Sequence, residues 1–407
     1  MTTPLLLLIT TGLRDYREYL LRSIATRYRV HLVTAIEPTW EKAYLDGATV
    51  VPHTGAEHVV PAARALASAE PVAGVLSWHE EHIVQSALAA EELGLPGTRA
   101  DAVRRCRDKS ATRAALAARG LPQPGFALVG DLAEAKEAAA RIGYPVVIKP
   151  RAAGGSQGVV LVADEDELAD QFTATRDVPV SDQPVFDQGV LVEEYLEGPE
   201  ISVDAVVRGG RVTPVFVARK DIGFPPYFEE TGHVLDAADP LLTDPGLLRV
   251  LSSVHEALGC ADGWTHTELK LTADGPKLIE VNGRLGGDLI PYLGLLATGV
   301  DPGLAAADVA CGTAPDLTPS VSRTAGIRFC YPPRNDTRVA SLSFPEALPP
   351  GVDLAVPLVA PGDVVSPPRK GLIDGRVALI TATAASPADC RALLDRVERT
   401  LTLTAAP

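Results

Sequence analysis

The stretch Thr265–Arg284, THTELKLTADGPKLIEVNGR, decides the fold because its two halves alternate polar and apolar residues, as β-strands do. Asp274-Gly275 lies between the halves and is typical of a hairpin turn. A three-residue loop at Ala273–Gly275 places Glu268 directly across from Glu280. A two-residue loop would send these glutamates to opposite faces of the sheet, so we predict the three-residue loop.

The same register predicts which other side chains share the face of the two glutamates. His266 lies opposite Asn282, and Lys270 lies opposite Leu278. Carboxylates that face each other destabilise a sheet unless a cation lies between them. The two glutamates and Asn282 form an all-oxygen set that suits Mg²⁺, with Mn²⁺ as an alternative. A solvent-exposed strand face with two unrelated acids explains this hairpin, taken alone, equally well.

A second feature lies at Tyr144–Val162, YPVVIKPRAAGGSQGVVLV, where two apolar strands flank a glycine-rich loop. Backbone N–H groups in such a loop form an anion-binding concavity, which glycine lets phosphate oxygens approach closely. No GK[ST] sequence follows, so the loop is not of the Walker type, and it resembles a flap over a triphosphate. Lys149 ends the first apolar run, where a buried ammonium needs an anion such as phosphate. A plain hairpin connection is the alternative for the loop alone.

In order and spacing, these elements resemble those of the ATP-grasp enzymes. Asp108-Lys109 resembles the family's first nucleotide-binding lysine, Lys149 the second, and LVEEYL at 191–196 the hinge that contacts adenine. The resemblance implies metal ligands at Glu268, Glu280 and Asn282. It implies ATP contacts at Lys109, Lys149, Gly155, Ser156, Gln157, Gly158, Glu193, Glu194, Tyr195, Leu196, Glu200, Glu268 and Glu280, with the Glu193 side chain on adenine and Glu200 near the ribose.

Within that superfamily, THTELKL followed by IEVNGRLGGDLIP resembles the carboxylate–amine ligases of the L-amino acid ligase (dipeptide synthetase) type. The resemblance implies that a carboxylate, from an amino acid or a similar molecule, attacks the γ-phosphate of ATP. An amine then attacks the acyl phosphate, and ADP and phosphate are released. Catalytic roles are implied for Arg284, which steadies the oxyanion, and for Lys149. We expect substrate contacts at His233, His266, Arg284, Gly287 and Arg328. An ordinary ion pair is the more frequent explanation for a single arginine such as Arg328.

Three other functions fit parts of the pattern. The hairpin and the C-terminal region also resemble those of biotin carboxylase, and ligases of the purine pathway have a similar length. A non-catalytic ATP-binding module is the third alternative, because a fold does not guarantee activity. The full set of lysines, acids and Arg284 makes this last function the least favoured.

We predict a mixed α/β and α+β chain with the ATP-grasp fold and three domains. Residues 1–105 alternate apolar strands with helices, which indicates a doubly wound parallel sheet. Residues 106–315 are predicted as the ATP-grasp domain, with a small lid subdomain at 122–190 and the metal hairpin at 264–284. Residues 316–407 are predicted as a small C-terminal α+β domain.

Three further segments are predicted to border the site. Residues 218–239 are predicted as a long irregular connection, either a substrate wall or a surface loop that packs Phe224 and Phe228 on its own domain. Thr10-Thr11-Gly12 ends the first strand, where parallel sheets bind ligands, and a simple turn is favoured there over a substrate contact. In the sequence WHEEH at 78–82 the histidines are three residues apart, which disfavours a zinc motif. We predict this segment as a loop at the domain junction that contacts nucleotide or substrate.

Composition limits the range of partners. The chain has 407 residues, 46% of them apolar and 22% charged, which suffices for two or three domain cores. Its net charge of −15, without a basic cluster, argues against a nucleic-acid partner. Its five isolated cysteines indicate a cytoplasmic protein. The apolar run Leu5–Ile9 is too short to span a membrane, so no membrane partner is expected, and the family resemblance implies a homodimer.

Overall fold

The computed structural model describes residues 3–179 and 189–406. Its first part contains β1 (Leu5–Ile9), α1 (Arg14–Ile24), β2 (Arg29–Thr34), β3 (Gly47–Val50), α2 (Ala56–Ala69), β4 (Val72–Leu76) and α3 (Ile83–Glu92). The four strands form a parallel sheet in the order β3-β2-β1-β4. This order confirms the predicted parallel sheet, and the strand order reverses between β1 and β4. All five residues of β1 are buried, as expected of an inner parallel strand.

The second part carries the predicted lid. It contains α4 (Ala100–Arg107), α5 (Lys109–Ala117), β5 (Phe126–Val129), α6 (Leu132–Ile142), β6 (Val146–Pro150), β7 (Val160–Val162), α7 (Glu165–Arg176) and β8 (Val190–Glu194). Its strands form an antiparallel sheet in the order β5-β8-β6-β7. Asp108 begins α5 by accepting hydrogen bonds from the backbone of Ser110 and Ala111. Residues 180–188 of the predicted lid lie outside the described residues.

The largest sheet has eight strands in the order β13-β12-β9-β10-β11-β14-β18-β16. Its first half and the helices beside it comprise β9 (Glu200–Arg208), β10 (Arg211–Gly223), β11 (Glu229–Asp236), α8 (Pro245–Leu258), β12 (Gly263–Thr272), β13 (Gly275–Asn282), α9 (Ile290–Thr298) and α10 (Pro302–Ala310). Leu6 of β1 and Phe216 of β10 belong to one apolar core, and α10 packs against both β4 of the parallel sheet and β12 of the large sheet. This shared core joins the two sheets.

The C-terminal region extends the large sheet. It contains β14 (Thr324–Cys330), β15 (Thr337–Ser343), β16 (Val352–Pro357), β17 (Val364–Val365), β18 (Ala378–Ala384), α11 (Pro387–Glu398) and β19 (Thr402–Ala405). β14 pairs with β11, while β15, β17 and β19 form a separate three-stranded sheet. Residues 316–407 thus have a core of their own but share a sheet with the preceding region. The three-domain division remains our proposal.

The prediction of an irregular connection at 218–239 is wrong. Strands β10 and β11 cover most of it and pair from Ala218↔Leu235 to Gly223↔Glu229. The charged run Arg219-Lys220-Asp221 hides the strand in the sequence, because a buried strand normally reads as apolar. Each of these three side chains forms an ion pair with a residue of opposite charge, as described below for Lys220.

Among the described residues, no single helix is long and apolar enough to cross a membrane. Helices α9 and α10 reach the required length only when taken together, and they meet at an angle of 108°.

Candidate active site

Strands β12 and β13 form the predicted hairpin. Glu268 pairs with Glu280 across it, and His266 pairs with Asn282, both as the sequence register predicted. The two glutamates line a cleft of about 1140 Å³, its open mouth included. The hairpin, the glycine-rich loop and the C-terminal region all contribute walls to this cleft.

The turn of the hairpin differs from the prediction. Thr272 pairs with Gly275, so two residues form the loop instead of three. A bulge after Glu268 places one extra residue on β13, which restores the alignment of the glutamates. Lys270 consequently faces Lys277, and the partner predicted for Lys270 is wrong.

The two facing carboxylates are held ionised by lysines from other elements. Lys220 Nζ lies 2.9 Å from Glu268 Oε2, and Lys109 Nζ lies 3.0 Å from Glu280 Oε2. Burial opposes ionisation of both acids, but the lysines outweigh it and lower both pKa values. Asn282 Nδ2 donates to Glu280 Oε1 at 2.9 Å. Two ionised carboxylates with a neighbouring amide are a hard oxygen donor set, so these residues fit Mg²⁺ or Mn²⁺.

Lys149 enters the same cleft from the end of β6. Its Nζ lies 2.6 Å from Glu193 Oε2, and Arg113 Nε donates to Glu193 Oε1 at 2.8 Å. Burial opposes the charge of Glu193, but Arg113 and Lys149 outweigh it and lower its pKa to about 2. Burial lowers the pKa of Lys149, and the Glu193 carboxylate counteracts this change. The acid predicted to contact adenine is therefore paired with two cations, a role that the sequence did not reveal.

The glycine-rich loop contacts the C-terminal region. Lys109 Nζ donates to the carbonyl of Ala153 at the start of this loop, at 2.8 Å. Gly155 has a φ of +63°, and a Cβ there would lie 2.4 Å from Ile373 Cδ1. The positive φ favours glycine at this position. A Cβ there would also require the flexible end of Ile373 to move. Ile373 therefore forms a wall of the cleft that the sequence did not predict.

Most of the residues predicted for the site line this one cleft. They are Lys109, Lys149, Gly155, Ser156, Glu193, Glu194, Tyr195, Leu196, Glu200, His266, Glu268, Glu280, Arg284 and Gly287. Gln157 and Gly158 belong to the same loop but are not among its lining residues, and Asn282 joins the site through its bond to Glu280.

His233 lies behind the wall, where two acids separate it from the cleft. Its Nε2 is 3.2 Å from Glu230 Oε2 and 3.4 Å from Asp288 Oδ2, and both acids line the cleft. Arg376 Nη1 donates to Asp288 Oδ1 at 2.7 Å. Burial opposes the charge of Asp288, but Arg376 and His233 outweigh it and lower its pKa. We call Glu230 and Asp288 the acidic corner, and their charge suits an ammonium group.

Arg328 does not reach the cleft. Its Nη2 donates to Asp395 Oδ1 at 2.7 Å, and its Nη1 lies 3.4 Å from Glu398 Oε2. Both acids belong to α11. The structure therefore gives no support to the predicted substrate contact and places Arg328 in an ion pair between a strand and a helix.

Arg284 is held by the loop that follows β4. Its Nε pairs with Glu80, whose other oxygen lies 3.0 Å from Arg107 Nη1. Burial opposes the charge of Glu80, but Arg284 and Arg107 outweigh it and lower its pKa to about 2. The loop predicted to lie at the domain junction thus positions Arg284 through Glu80.

Lys220 is the most consequential residue that sequence reasoning missed. Its side chain is fully buried, and its Nζ lies 3.0 Å from Glu200, 2.7 Å from Glu230 and 2.9 Å from Glu268. Burial opposes its charge, but the three acids outweigh it and raise its pKa well above the ordinary value. The available signal was a lysine two residues after the apolar run 215–218, similar to Lys149 at the end of its own apolar run.

His266 gives this site a pH dependence that can be measured. Its Nδ1 lies 2.8 Å from Asp204 Oδ2, and its Nε2 lies 3.4 Å from Glu268 Oε1. Burial opposes the proton, but Asp204 outweighs it, Glu268 assists, and the pKa of His266 rises from 6.5 to about 9. A histidine with a higher pKa in the folded state than in the unfolded state stabilises the fold while it is protonated. This stabilisation is fully present below the unfolded-state pKa and is lost as the pH rises through about 9.

We therefore expect the wild-type protein to lose unfolding free energy on the order of 3 kcal/mol as the pH rises from about 7 to about 9.5. Its thermal midpoint should fall accordingly. His266→Gln should show a much flatter profile over this window. His53→Gln, at a mostly exposed histidine, is the matched control and should follow the wild type. A parallel decline of all three proteins would contradict a charged His266.

Comparison with known proteins places this geometry in a family. Residues 142–291 match the ATP-grasp domain family. The uncharacterized protein y4rH of Sinorhizobium fredii is 30% identical over 343 residues, which cover 83% of this chain and 69% of that protein. The chain belongs to the ATP-grasp family. The predicted fold class is confirmed with it.

Other relatives indicate which kinds of enzyme within the family the chain resembles. Human carnosine synthase 1 is 34% identical over 260 residues, which cover 60% of this chain but 31% of that longer protein. The crystal structure of an L-amino acid ligase from Bacillus licheniformis, 22% identical, superposes over all of both chains with a TM-score of 0.81. The phosphoribosylglycinamide synthetase of Anaerococcus prevotii, 17% identical over 99% of this chain and 100% of that chain, reaches 0.73. The chain is thus close to amide-forming ligases, and its purine-pathway and carboxylase relatives match less well.

Proposed function

We propose that this protein is an ATP-dependent carboxylate–amine ligase that forms an amide bond between an amino acid, or a similar carboxylate, and an amine. The observation that carries the proposal is one cleft in which Glu268 and Glu280 face each other as ionised acids, with Lys109, Lys149 and Arg284 around them. This arrangement supports phosphoryl transfer, whose catalysis consists mainly of positioning and charge stabilisation.

The proposed reaction has two steps. A substrate carboxylate oxygen bonds to the γ-phosphorus while the bond to ADP breaks, and Lys109 and Lys149 offset the charge on the phosphate oxygens. Mg²⁺ held by Glu268, Glu280 and Asn282 would neutralise further phosphate charge. The amine nitrogen then bonds to the acyl carbon, phosphate departs, and Arg284 stabilises the oxyanion. The glycine-rich loop shields the acyl phosphate from water.

The acidic corner supports an amino acid as the activated substrate. Glu230 and Asp288 offer carboxylates to an ammonium group, and His233 and Arg376 fix the orientation of Asp288. Gly287, adjacent to Asp288, contributes backbone to the same wall. Adenine is assigned to the hinge residues Glu194, Tyr195 and Leu196, which line the same cleft.

The cellular setting belongs to the same proposal. All five cysteines are free, which is typical of a reducing compartment, so we retain the cytoplasmic location. The homodimer is retained from the family resemblance.

The test is ADP release with Mg·ATP against single amino acids and all pairwise mixtures, with Glu280→Ala as the blank. We expect release that requires a particular pair and yields a dipeptide. Release with bicarbonate and biotin would instead assign a carboxylase. ATP binding without turnover in any mixture would exclude amino acids as the substrates, and it would favour a binding module if other carboxylates also gave no turnover.

A further inference from the structure

One edge of the parallel sheet has no role in the reaction proposed above. Its strand order reverses between β1 and β4, and open parallel sheets bind ligands at the carboxyl ends of strands at such a point. Thr10–Gly12 follows β1 and Ser77–His79 follows β4. Trp78 Nε1 donates to the carbonyl of Thr11 at 2.7 Å, which fixes the two loops side by side.

Arg17, in the first turn of α1, lies beside this edge and is hydrogen-bonded to backbone next to the cleft residue Gly287. Its Nη1 donates to the carbonyl of Gly286 at 3.3 Å, and Gly286 lies between Arg284 and the cleft residue Gly287. A Cβ on Gly12 would lie 3.8 Å from Arg17 Cγ and 3.6 Å from the His79 ring. Arg17 is therefore in contact with both the sheet edge and the backbone that carries Arg284.

The charge of Arg17 lacks a direct counter-ion. Within residues 3–179 and 189–406, no carboxylate oxygen lies within 4.0 Å of its guanidinium. Asp204 and Asp288 act on it only at longer range, and burial lowers its pKa, with Arg284 adding to that effect. By contrast, Arg284 pairs with Glu80 and Arg376 pairs with Asp288. Arg17 is only partly buried, so a guanidinium without an acid at this position is available to a ligand that supplies the anion.

We propose that Arg17 binds the carboxylate of the amine-donating substrate. This inference rests on the proposed ligase function and deepens it, because it names the residue that binds the carboxylate of the second amino acid. A guanidinium pairs with a carboxylate in a fixed two-pronged geometry, which orients the amine beside Arg284. The amine nitrogen bonds to the acyl carbon, the bond to the phosphate oxygen breaks, and the amine proton leaves with the phosphate.

The test separates the two half-reactions with hydroxylamine, an amine that has no carboxylate. Wild-type enzyme supplied with Mg·ATP and the activated amino acid should form the hydroxamate with hydroxylamine and the dipeptide with the second amino acid. Arg17→Ala should form hydroxamate at the wild-type rate but lose about 10- to 100-fold in kcat/KM for the second amino acid, as expected for a hydrogen-bonded charge. Arg17→Lys should recover part of the loss.

The amide of the second amino acid is the matched substrate, and Arg14→Ala is the matched variant. Arg14 lies on the same helix but is exposed and pairs with Glu18, so its replacement should change neither reaction. Equal losses for the amino acid and its amide, or loss of hydroxamate formation in Arg17→Ala, would overturn the assignment and make Arg17 a structural residue. Absence of hydroxamate and ADP in the wild type would instead overturn the ligase function itself.

Discussion

Glu280→Gln is expected to lower kcat/KM for amino-acid-dependent ADP release by about 10³-fold or more, since a metal that stabilises transition-state charge contributes several kcal/mol. The substitution keeps the shape of the side chain but removes one of the two facing charges. It also removes the anionic partner that lies 3.0 Å from Lys109 Nζ. The measurement is steady-state ADP release over a range of Mg²⁺ concentrations, with the thermal midpoint recorded for each protein.

The fold should tolerate this change. Glu268 and Glu280 repel each other, and this repulsion opposes the lowering of the pKa of Glu280. Loss of one charge therefore removes an unfavourable contact as well as a favourable one, so we expect a thermal midpoint close to that of the wild type. Asp274→Asn, in the exposed turn of the same hairpin, is the control and should keep full activity. A Glu280→Gln enzyme with unchanged turnover and unchanged Mg²⁺ dependence would remove this hairpin from the active site.

The hairpin shows how a correct site prediction can rest on an incorrect local detail. The sequence register placed Glu268 opposite Glu280 by means of a three-residue loop, while the structure uses a two-residue loop and a bulge. The two descriptions agree for the glutamates and disagree for Lys270. The bulge leaves only a small mark in the sequence, the consecutive apolar pair Leu278-Ile279, which breaks the alternation of β13 at one point.

Residues of the site that come from distant parts of the chain were harder to predict. Arg376 pairs with Asp288 across 88 positions of sequence, and Ile373 reaches the glycine-rich loop. These contacts depend on the C-terminal strands joining the large sheet, which local alternation does not specify. The motif residues, in contrast, lie on short segments whose strand period alone fixes their common face.

Lys220→Met is expected to destabilise the protein by about 3–5 kcal/mol, the usual cost of removing one partner from a buried ion pair. Its ammonium is the cation between Glu200, Glu230 and Glu268, all within 3.0 Å. Methionine fills similar space but leaves three acids facing one another. The measurement is the thermal midpoint, together with chemical unfolding, at several pH values.

The pH dependence identifies the cause of this loss. Without the ammonium, the crowded acids have folded-state pKa values above those of the unfolded chain, so their protonation stabilises the folded state. The deficit relative to the wild type should be largest near pH 8 and should narrow toward pH 5. Mg²⁺ should raise the midpoint of the variant more than that of the wild type, because the three acids lie close enough together to share one cation.

Lys270→Met is the matched control. Lys270 also pairs with Glu200, at 3.2 Å, but within 4.0 Å it has one acid where Lys220 has three. Its replacement should therefore cost less and should show a weaker pH dependence. Equal losses in the two variants, or a Lys220→Met deficit that is the same at pH 5 and pH 8, would show that Lys220 acts through packing. The difference matters for function. Lys220 pairs with Glu230, which is proposed to bind the substrate ammonium group, and with Glu268, which is proposed to bind the metal ion. This one buried cation therefore sets the net charge that both ligands meet.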